Sequence, residues 1–224
     1  MKNEREVRIF DFEIRAAETE NEERKGQLTG TPIVFNQATD MGWYEETIDR
    51  EALKETDLKD VMFLVGHDFS SIPLARSRNN NENSTMQMSV TDEGMNIRVD
   101  LDIEGNPRAA ELYSAVKRGD ISGMSFAFIV DKDAWDDIDT EYPKRTIMSI
   151  RKVFEVSAVA FPAYPQTSIQ AASEDAPLDS ARASLESARK QLAEDRAAQA
   201  EQERRTAVLE RLNNLIKEVK TDEV

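Results

Sequence analysis

The chain has 224 residues, of which 39% are apolar, enough for one hydrophobic core with appendages. Its 44 acidic and 29 basic residues give a formal net charge of -15, which disfavours binding to nucleic acid or to an anionic membrane surface. The chain contains no cysteine and one histidine, which excludes disulfides, cysteine nucleophiles, His-rich zinc sites and HExxH metalloproteases.

The amino terminus is charged from its first residues and lacks the apolar stretch of a signal peptide. No apolar run in the chain approaches the roughly 20 residues that span a bilayer. We therefore expect a protein without a membrane segment that stays in the cytosol of the cell that makes it.

The composition changes near residue 173. The earlier part has short apolar or alternating runs separated by polar turns, whereas the later part has no aromatic residue and no glycine. We predict two parts, a β-rich domain over residues 1–172 and a helical tail over residues 173–224.

Strand patterns dominate the first part. GTPIVFN (Gly30–Asn36) and the WYEETI segment read as strands, and the run from Val61 to Gly66 is apolar on both faces, as in a buried strand. The segment STMQMSVTDEGMNIRVDLDI predicts a hairpin, because two alternating runs flank a turn that ends in Gly94.

One helix is well marked after this hairpin. Asn106 suits the N-cap, Pro107 the first helical position and Gly119 the terminator. DISGMSFAFIV then predicts a strand, and RTIMSIRKVFEVSAVAF predicts a longer one. Many strands with one interposed helix predict a mainly β fold, a small antiparallel β-barrel with flanking helices.

The acidic insert between these two strands, Asp131–Glu141, does not match a calcium-binding loop. Trp135 occupies a ligand position, Asp136 stands where glycine should turn the loop, and Tyr142 replaces the closing glutamate. We predict a solvated hairpin loop here, and we expect neither a metal site nor a cofactor in this chain.

The tail from Pro177 to Val219 predicts one helix of about 65 Å. Its apolar residues form two stripes that are out of phase, the first at Leu178, Leu185 and Leu192 and the second at Val208, Leu212, Leu215 and Val219. The segment between the stripes has almost no apolar face, which favours a helix that needs a partner.

Ser125 is a candidate nucleophile. Strand alternation places it on a narrow face beside Gly123 and Ala127, where small neighbours leave room for another backbone to approach. Ser122 falls on the opposite, core-facing side of the same segment, so Ser125 is the better candidate. The alternative is a serine that only faces solvent.

His67 is a candidate general base. It follows a buried strand and Gly66, at the point where the chain leaves the sheet, and histidine is the side chain that titrates near neutral pH. The alternative is a structural histidine bound to a backbone carbonyl. The adjacent Asp68 would point the other way on a strand, so it is a poor partner for the ring.

Glu155 interrupts an otherwise apolar and small strand, on the same face as Val153, Ser157 and Val159. A carboxylate in this position needs a partner or water, because burying it alone is costly. Two interpretations remain open, a functional carboxylate and a glutamate on the exterior of the barrel.

Three segments, HDFSSIPLAR, DISGMSFAF and FEVSAVAFPAYPQT, resemble the signature segments of the tailed-phage prohead protease family. GTPIVFN followed by WYEETIDREAL resembles the opening of that family, and the elements keep the family's order over about residues 5 to 170. The resemblance implies the barrel fold of the herpesvirus capsid-assembly proteases.

At the level of residues, the resemblance implies a nucleophile at Ser125, a base at His67 and an acidic third member at Glu155. The herpesvirus enzymes use a second histidine as the third member, and this chain has none. For the oxyanion hole, backbone amides near Pro73–Arg76 are one option, and a structural role for Arg76 is equally open.

The resemblance also implies a function. It is that of a serine endopeptidase that cleaves the major capsid protein or its scaffolding segment, and possibly itself, inside assembling proheads in the host cytoplasm. The tail would dock on the assembling shell or self-associate. The alternative is a catalytically silent scaffold or assembly chaperone that acts through its C-terminal helix.

Overall fold

The computed structural model describes residues 5–10, 14–16, 26–160 and 176–221. The described part is mainly β with two helices, as predicted. The chain divides into two compact units, Met1–Arg182 and Ala183–Val224. The predicted boundary between residues 172 and 173 lies outside the described residues and stays a prediction.

The elements follow one another along the chain, with all of the strands before the second helix. In order they are β1 (Glu6–Phe10), β2 (Ile14–Ala16), β3 (Gln27–Val34), β4 (Thr39–Asp40), β5 (Glu45–Ile48), β6 (Asp60–Val65), β7 (Ala75–Arg78), β8 (Met86–Val90), β9 (Gly94–Asp100), α1 (Pro107–Arg118), β10 (Gly123–Asp136), β11 (Lys144–Val159) and α2 (Ala176–Thr221).

The described strands form two sheets. The larger one has the order β1-β10-β11-β5-β4, with β6 also paired to β11 and β7 paired to β6, and the smaller one has the order β2-β3-β9-β8. The long strand β11 organises the larger sheet, because it pairs with β10 on one side and with both β5 and β6 on the other.

The prediction of a closed antiparallel barrel is wrong for this structure. Both sheets are open, and β11 pairs in parallel with β5 and β6. Alternation of apolar and polar residues reports which face of a strand is buried, but not the direction of its neighbour or the closure of the sheet. The relation to the herpesvirus protease fold stays a prediction from the resemblance.

The helix α1 forms where its sequence signals predict it. The Asn106 side chain accepts a hydrogen bond from the Arg108 N–H at 3.1 Å, and Pro107 is the first helical residue. Gly119 ends the helix with a φ of 81°, a left-handed conformation that glycine adopts readily. The face that carries Leu112 and Val116 is buried in the apolar core.

The predicted hairpin is also confirmed, as β8 and β9, with its turn closed by a hydrogen bond from the Thr91 N–H to the Gly94 carbonyl at 2.8 Å. Gly94 also lies against β3, where a Cβ atom would fall 2.0 Å from the Ile33 carbonyl oxygen. Glycine is therefore required at this position for the close approach of β3 and β9.

The acidic insert is more ordered than predicted, because β10 continues to Asp136 and β11 begins at Lys144. Carboxylates of the insert pair with cations of β11. Asp133 binds Arg145 at 2.7 Å, and Asp131 binds Arg151 at 2.8 Å. These cross-strand pairs stabilise the extension of the β10–β11 ladder into the acidic insert. From its charge alone, the insert is predicted to be a loop.

The tail helix is confirmed as α2, whose 46 residues include the predicted range. In the second unit, the Val208 and Leu209 side chains are 58% and 62% exposed. In the part of the chain that the structure describes, no helix is long and apolar enough to cross a membrane.

Candidate active site

Three neighbouring strands of the larger sheet bring the predicted site residues together. Ser125 on β10 pairs across the ladder with Ser157 on β11, and Ser157 pairs on its other side with Leu64 on β6. Directly paired residues place their side chains on the same face, and Glu155 shares that face because it lies two residues before Ser157. His67 follows the end of β6.

The chain turns sharply where it leaves β6. Gly66 and His67 both have a φ of 60°, a left-handed conformation that is uncommon for a residue with a side chain. The His67 N–H donates a hydrogen bond to the Ser157 hydroxyl at 3.0 Å, and the Gly66 N–H donates to the Ala158 carbonyl at 3.0 Å. These two bonds hold the turn against β11, beside Glu155.

A buried carboxylate binds the His67 ring. The distance from His67 Nδ1 to Glu155 Oε1 is 2.7 Å, and the Glu155 side chain is fully buried. The other carboxylate oxygen, Oε2, accepts a hydrogen bond from the Ser157 hydroxyl at 2.6 Å. The interpretation of Glu155 as an exterior residue is therefore wrong, and so is that of His67 as a histidine held by a backbone carbonyl.

The second ring nitrogen of His67 is available. Nε2 is buried and has no hydrogen-bond partner among the described residues. In the neutral ring, the tautomer with its proton on Nδ1 donates to this carboxylate and leaves the Nε2 lone pair open. An open basic nitrogen fixed by a carboxylate can accept a proton from a hydroxyl.

Ser125 is fully buried, which overturns the alternative of a solvent-facing serine. Its hydroxyl donates a hydrogen bond to the Arg8 carbonyl at 2.7 Å and is not hydrogen-bonded to His67. The expectation that Ser122 faces the core is also wrong. Ser122 is exposed and precedes β10, which begins only at Gly123, so strand alternation does not apply to it.

The Arg8 side chain belongs to a second buried polar group, which we call the charge cluster, of Glu6, Arg8, Glu46 and Arg145. The Arg8 guanidinium contacts Glu6 at 2.5 Å and also binds Glu46, and Arg145 binds Glu6 at 2.8 Å and Glu46 at 3.1 Å. The cluster joins β1, β5 and β11 and thereby anchors the strand whose carbonyl holds Ser125.

The charge cluster favours the ionised forms of Glu6, Arg8 and Arg145. Burial alone would raise the pKa of Glu6, but the Arg8 charge and the hydrogen bonds from Arg145 lower this pKa to about 2. Burial raises the pKa of the neighbouring Tyr44 to about 12. The negative charges of two carboxylates offset the positive charges of two guanidiniums. Charged side chains are tolerated in a core when they are paired in this way.

Asp68 and Arg76, two polar residues considered for the site from the sequence, are bound elsewhere. The Asp68 carboxylate accepts from the Ser70 N–H at 3.0 Å, in agreement with the expectation that it does not orient the ring. The Arg76 guanidinium binds Asp60 at 2.6 Å, a structural role. The Leu74 and Arg76 amides donate to Phe63 and Thr85, so they are already used in the fold and lend no support to an oxyanion hole.

The contacts of Ser157 are a feature that strand alternation does not reveal. Alternation places Ser157 on the face of Glu155, but the position of its hydroxyl between Glu155 and the His67 main chain depends on the turn after β6. The only signal in the sequence is a second polar residue, two positions after Glu155, in the otherwise apolar end of the strand from Val153 to Val159.

Comparison with known proteins gives one match. The profile of a family described as caudovirus prohead serine protease matches residues 10–179, which is more than half of the chain and includes His67, Ser125 and Glu155. No curated protein and no solved structure matches the chain. Because the profile covers most of the first unit and all three strands of the site, the chain belongs to the caudovirus prohead serine protease family.

Proposed function

We propose that the chain is a serine endopeptidase in which Ser125 is the nucleophile, His67 the general base and Glu155 the residue that orients His67. One observation carries this assignment: a buried carboxylate binds Nδ1 of the only histidine, whose Nε2 has no partner within the described residues. Ser125 lies on the adjacent strand and presents its side chain on the same face.

The reaction begins when the Ser125 hydroxyl turns from the Arg8 carbonyl to His67 Nε2. His67 then takes the hydroxyl proton as the serine oxygen bonds to the carbonyl carbon of the scissile peptide. Collapse of the tetrahedral intermediate breaks the C–N bond, and His67 returns the proton to the leaving amine. Water, activated by the same nitrogen, hydrolyses the acyl-enzyme and regenerates Ser125. Throughout, Glu155 fixes the ring and stabilises the imidazolium.

The proposed substrate is the major capsid protein or its scaffolding segment, and the chain itself is a further candidate. Membership of a prohead serine protease family supports this substrate, and we propose that the reaction takes place inside assembling proheads in the host cytoplasm. We further propose that residues 1–172 form the catalytic domain. The tail, whose described side chains from Arg189 to Arg211 are almost all exposed, would mediate self-association or docking on the shell.

Co-expression with the capsid protein tests the assignment. The Ser125→Ala variant should leave the capsid protein uncut, because no other hydroxyl takes the place of the nucleophile. Ser122→Ala is the matched control, since Ser122 is an exposed serine three residues away in the same segment, and it should process the capsid protein normally. Normal processing by Ser125→Ala would overturn the assignment of Ser125, whereas a wild-type chain that leaves the capsid protein uncut would favour a silent scaffold acting through the C-terminal helix.

A further inference from the structure

We propose that Ser157 is a positioning residue of this site, which holds Glu155 and the His67 main chain so that Nε2 stays open. This inference rests on the proposed roles of Ser125, His67 and Glu155. It assigns a purpose to a fully buried hydroxyl that lies next to the ring but does not bind it.

The direction of both Ser157 hydrogen bonds follows from the groups involved. An ionised carboxylate can only accept, and a backbone N–H can only donate. The single hydroxyl proton of Ser157 therefore goes to Glu155 Oε2 at 2.6 Å, and the hydroxyl oxygen accepts from the His67 N–H at 3.0 Å. Because the Ser157 hydroxyl both donates to Glu155 and accepts from the His67 main chain, we assign it a positioning role, although it pairs directly with Ser125 across the ladder.

The bond to Glu155 fixes the carboxylate. Oε1 is hydrogen-bonded to His67 Nδ1, and Oε2 accepts a hydrogen bond from the Ser157 hydroxyl. Both oxygens of this fully buried carboxylate are therefore bound. Removal of the hydroxyl would leave Oε2 buried without a donor, a costly state that favours rotation of the carboxylate. Rotation would release the ring.

The bond to the main chain fixes the turn. His67 has a φ of 60°, a conformation that costs energy for a residue with a side chain and persists only where its surroundings hold it. The Ser157 hydroxyl is the side-chain group that accepts the His67 N–H. The Ser157 hydroxyl therefore fixes both the position of the Glu155 carboxylate and the conformation of the backbone that carries the His67 imidazole.

Ser157→Ala tests the inference, with Ser157→Thr as the conservative variant and Ser77→Ala as the matched control. Ser77 is also a fully buried strand serine, but its hydroxyl has no hydrogen-bond partner among the described residues. Threonine keeps the hydroxyl and suits a strand. All variants are made in the full chain and assayed for capsid-protein cleavage, with kcat and KM determined separately.

We expect Ser157→Ala to lower kcat roughly 10- to 100-fold with little change in KM, the range for loss of a hydrogen bond to a charged group. Ser157→Thr should recover most of this loss, and Ser77→Ala should match the wild type. If the threonine variant does not fold, the inference is still tested by comparing kcat of Ser157→Ala with kcat of Ser77→Ala. Equal kcat for Ser157→Ala and Ser77→Ala would overturn the inference.

A spectroscopic measurement separates this inference from the proposed function. Because the chain has one histidine, a proton resonance far downfield of the amide region is assigned to the Nδ1–H of His67 without ambiguity. We expect it in the wild type and in Ser77→Ala, and we expect Ser157→Ala to lose it. A wild-type chain that cuts nothing would sink the proposed function, whereas loss of this resonance in Ser157→Ala would still support the inference. Its persistence in Ser157→Ala would contradict the inference.

Discussion

Two buried polar groups lie on neighbouring strands of the larger sheet, and they differ in one respect. The charge cluster and the histidine cluster, which we define as His67, Glu155 and Ser157, are both hydrogen-bonded and shielded from solvent. In the charge cluster each cation binds at least two carboxylates, whereas the histidine cluster leaves Nε2 of His67 without a partner in the described part of the chain. A saturated group stabilises the fold, and an open basic atom is available for chemistry.

The strand β1 connects the charge cluster to the proposed nucleophile. The Arg8 side chain belongs to the charge cluster, and its carbonyl accepts the Ser125 hydroxyl. Ion pairing therefore anchors the strand against which the proposed nucleophile rests. The following predictions test whether the histidine cluster governs activity and the charge cluster governs stability.

The largest expected effect is on activity. Glu155→Gln keeps the size of the side chain but removes the charge that sets the His67 tautomer, and we expect cleavage of the capsid protein to fall by roughly 10⁴-fold. The far-UV circular dichroism should match that of the wild type. A loss of cleavage below tenfold would show that Glu155 does not orient the base.

The next effect is on stability. Arg145→Ala leaves Glu6 and Glu46 short of a partner in the core, and we expect the free energy of unfolding to drop by about 3–5 kcal/mol in urea denaturation. The control is Arg50→Ala, which removes a well-exposed ion pair with Asp92 and should cost less than about 1 kcal/mol. Equal losses in the two variants would contradict a stabilising role for the charge cluster.

A smaller effect is expected on the free energy of unfolding at low pH. Since the pKa of Glu6 is lowered from 4.5 to about 2, its contribution to stability is complete above pH 4.5 and is lost as the pH falls towards 2. The shift corresponds to a loss on the order of 3 kcal/mol. Urea denaturation of the wild type and of Glu6→Gln across this pH range checks it. The variant should lack this part of the pH dependence, and identical slopes would refute the assignment.

The helix α1 and the shared face of Ser125 and Glu155 could be predicted from the sequence, because they depend on local patterns. Caps at Asn106 and Gly119 marked α1, and strand alternation placed Ser125 and Glu155 on faces that prove to be shared. Ser122 was misplaced because the start of β10 lies one residue beyond it.

The parts that the sequence did not reveal are non-local. The open sheets and the parallel pairing of β11 with β5 and β6 depend on how distant segments meet. The charge cluster was missed for the same reason, because Arg8 and Arg145 are far apart in sequence and look like ordinary surface cations until β1 and β11 bring them together. The bonds of Ser157 to Glu155 and to His67 required the left-handed turn after β6.

The central claim is that Ser125 is activated by His67, and covalent labelling tests it most directly. The full chain is treated with a serine-directed fluorophosphonate under conditions in which capsid protein is cut, and the labelled peptide is identified by mass spectrometry. We predict a label on Ser125 that disappears in His67→Ala. A label on Ser122 or Ser157, or no label on Ser125 while the capsid protein is being cut, would contradict the account.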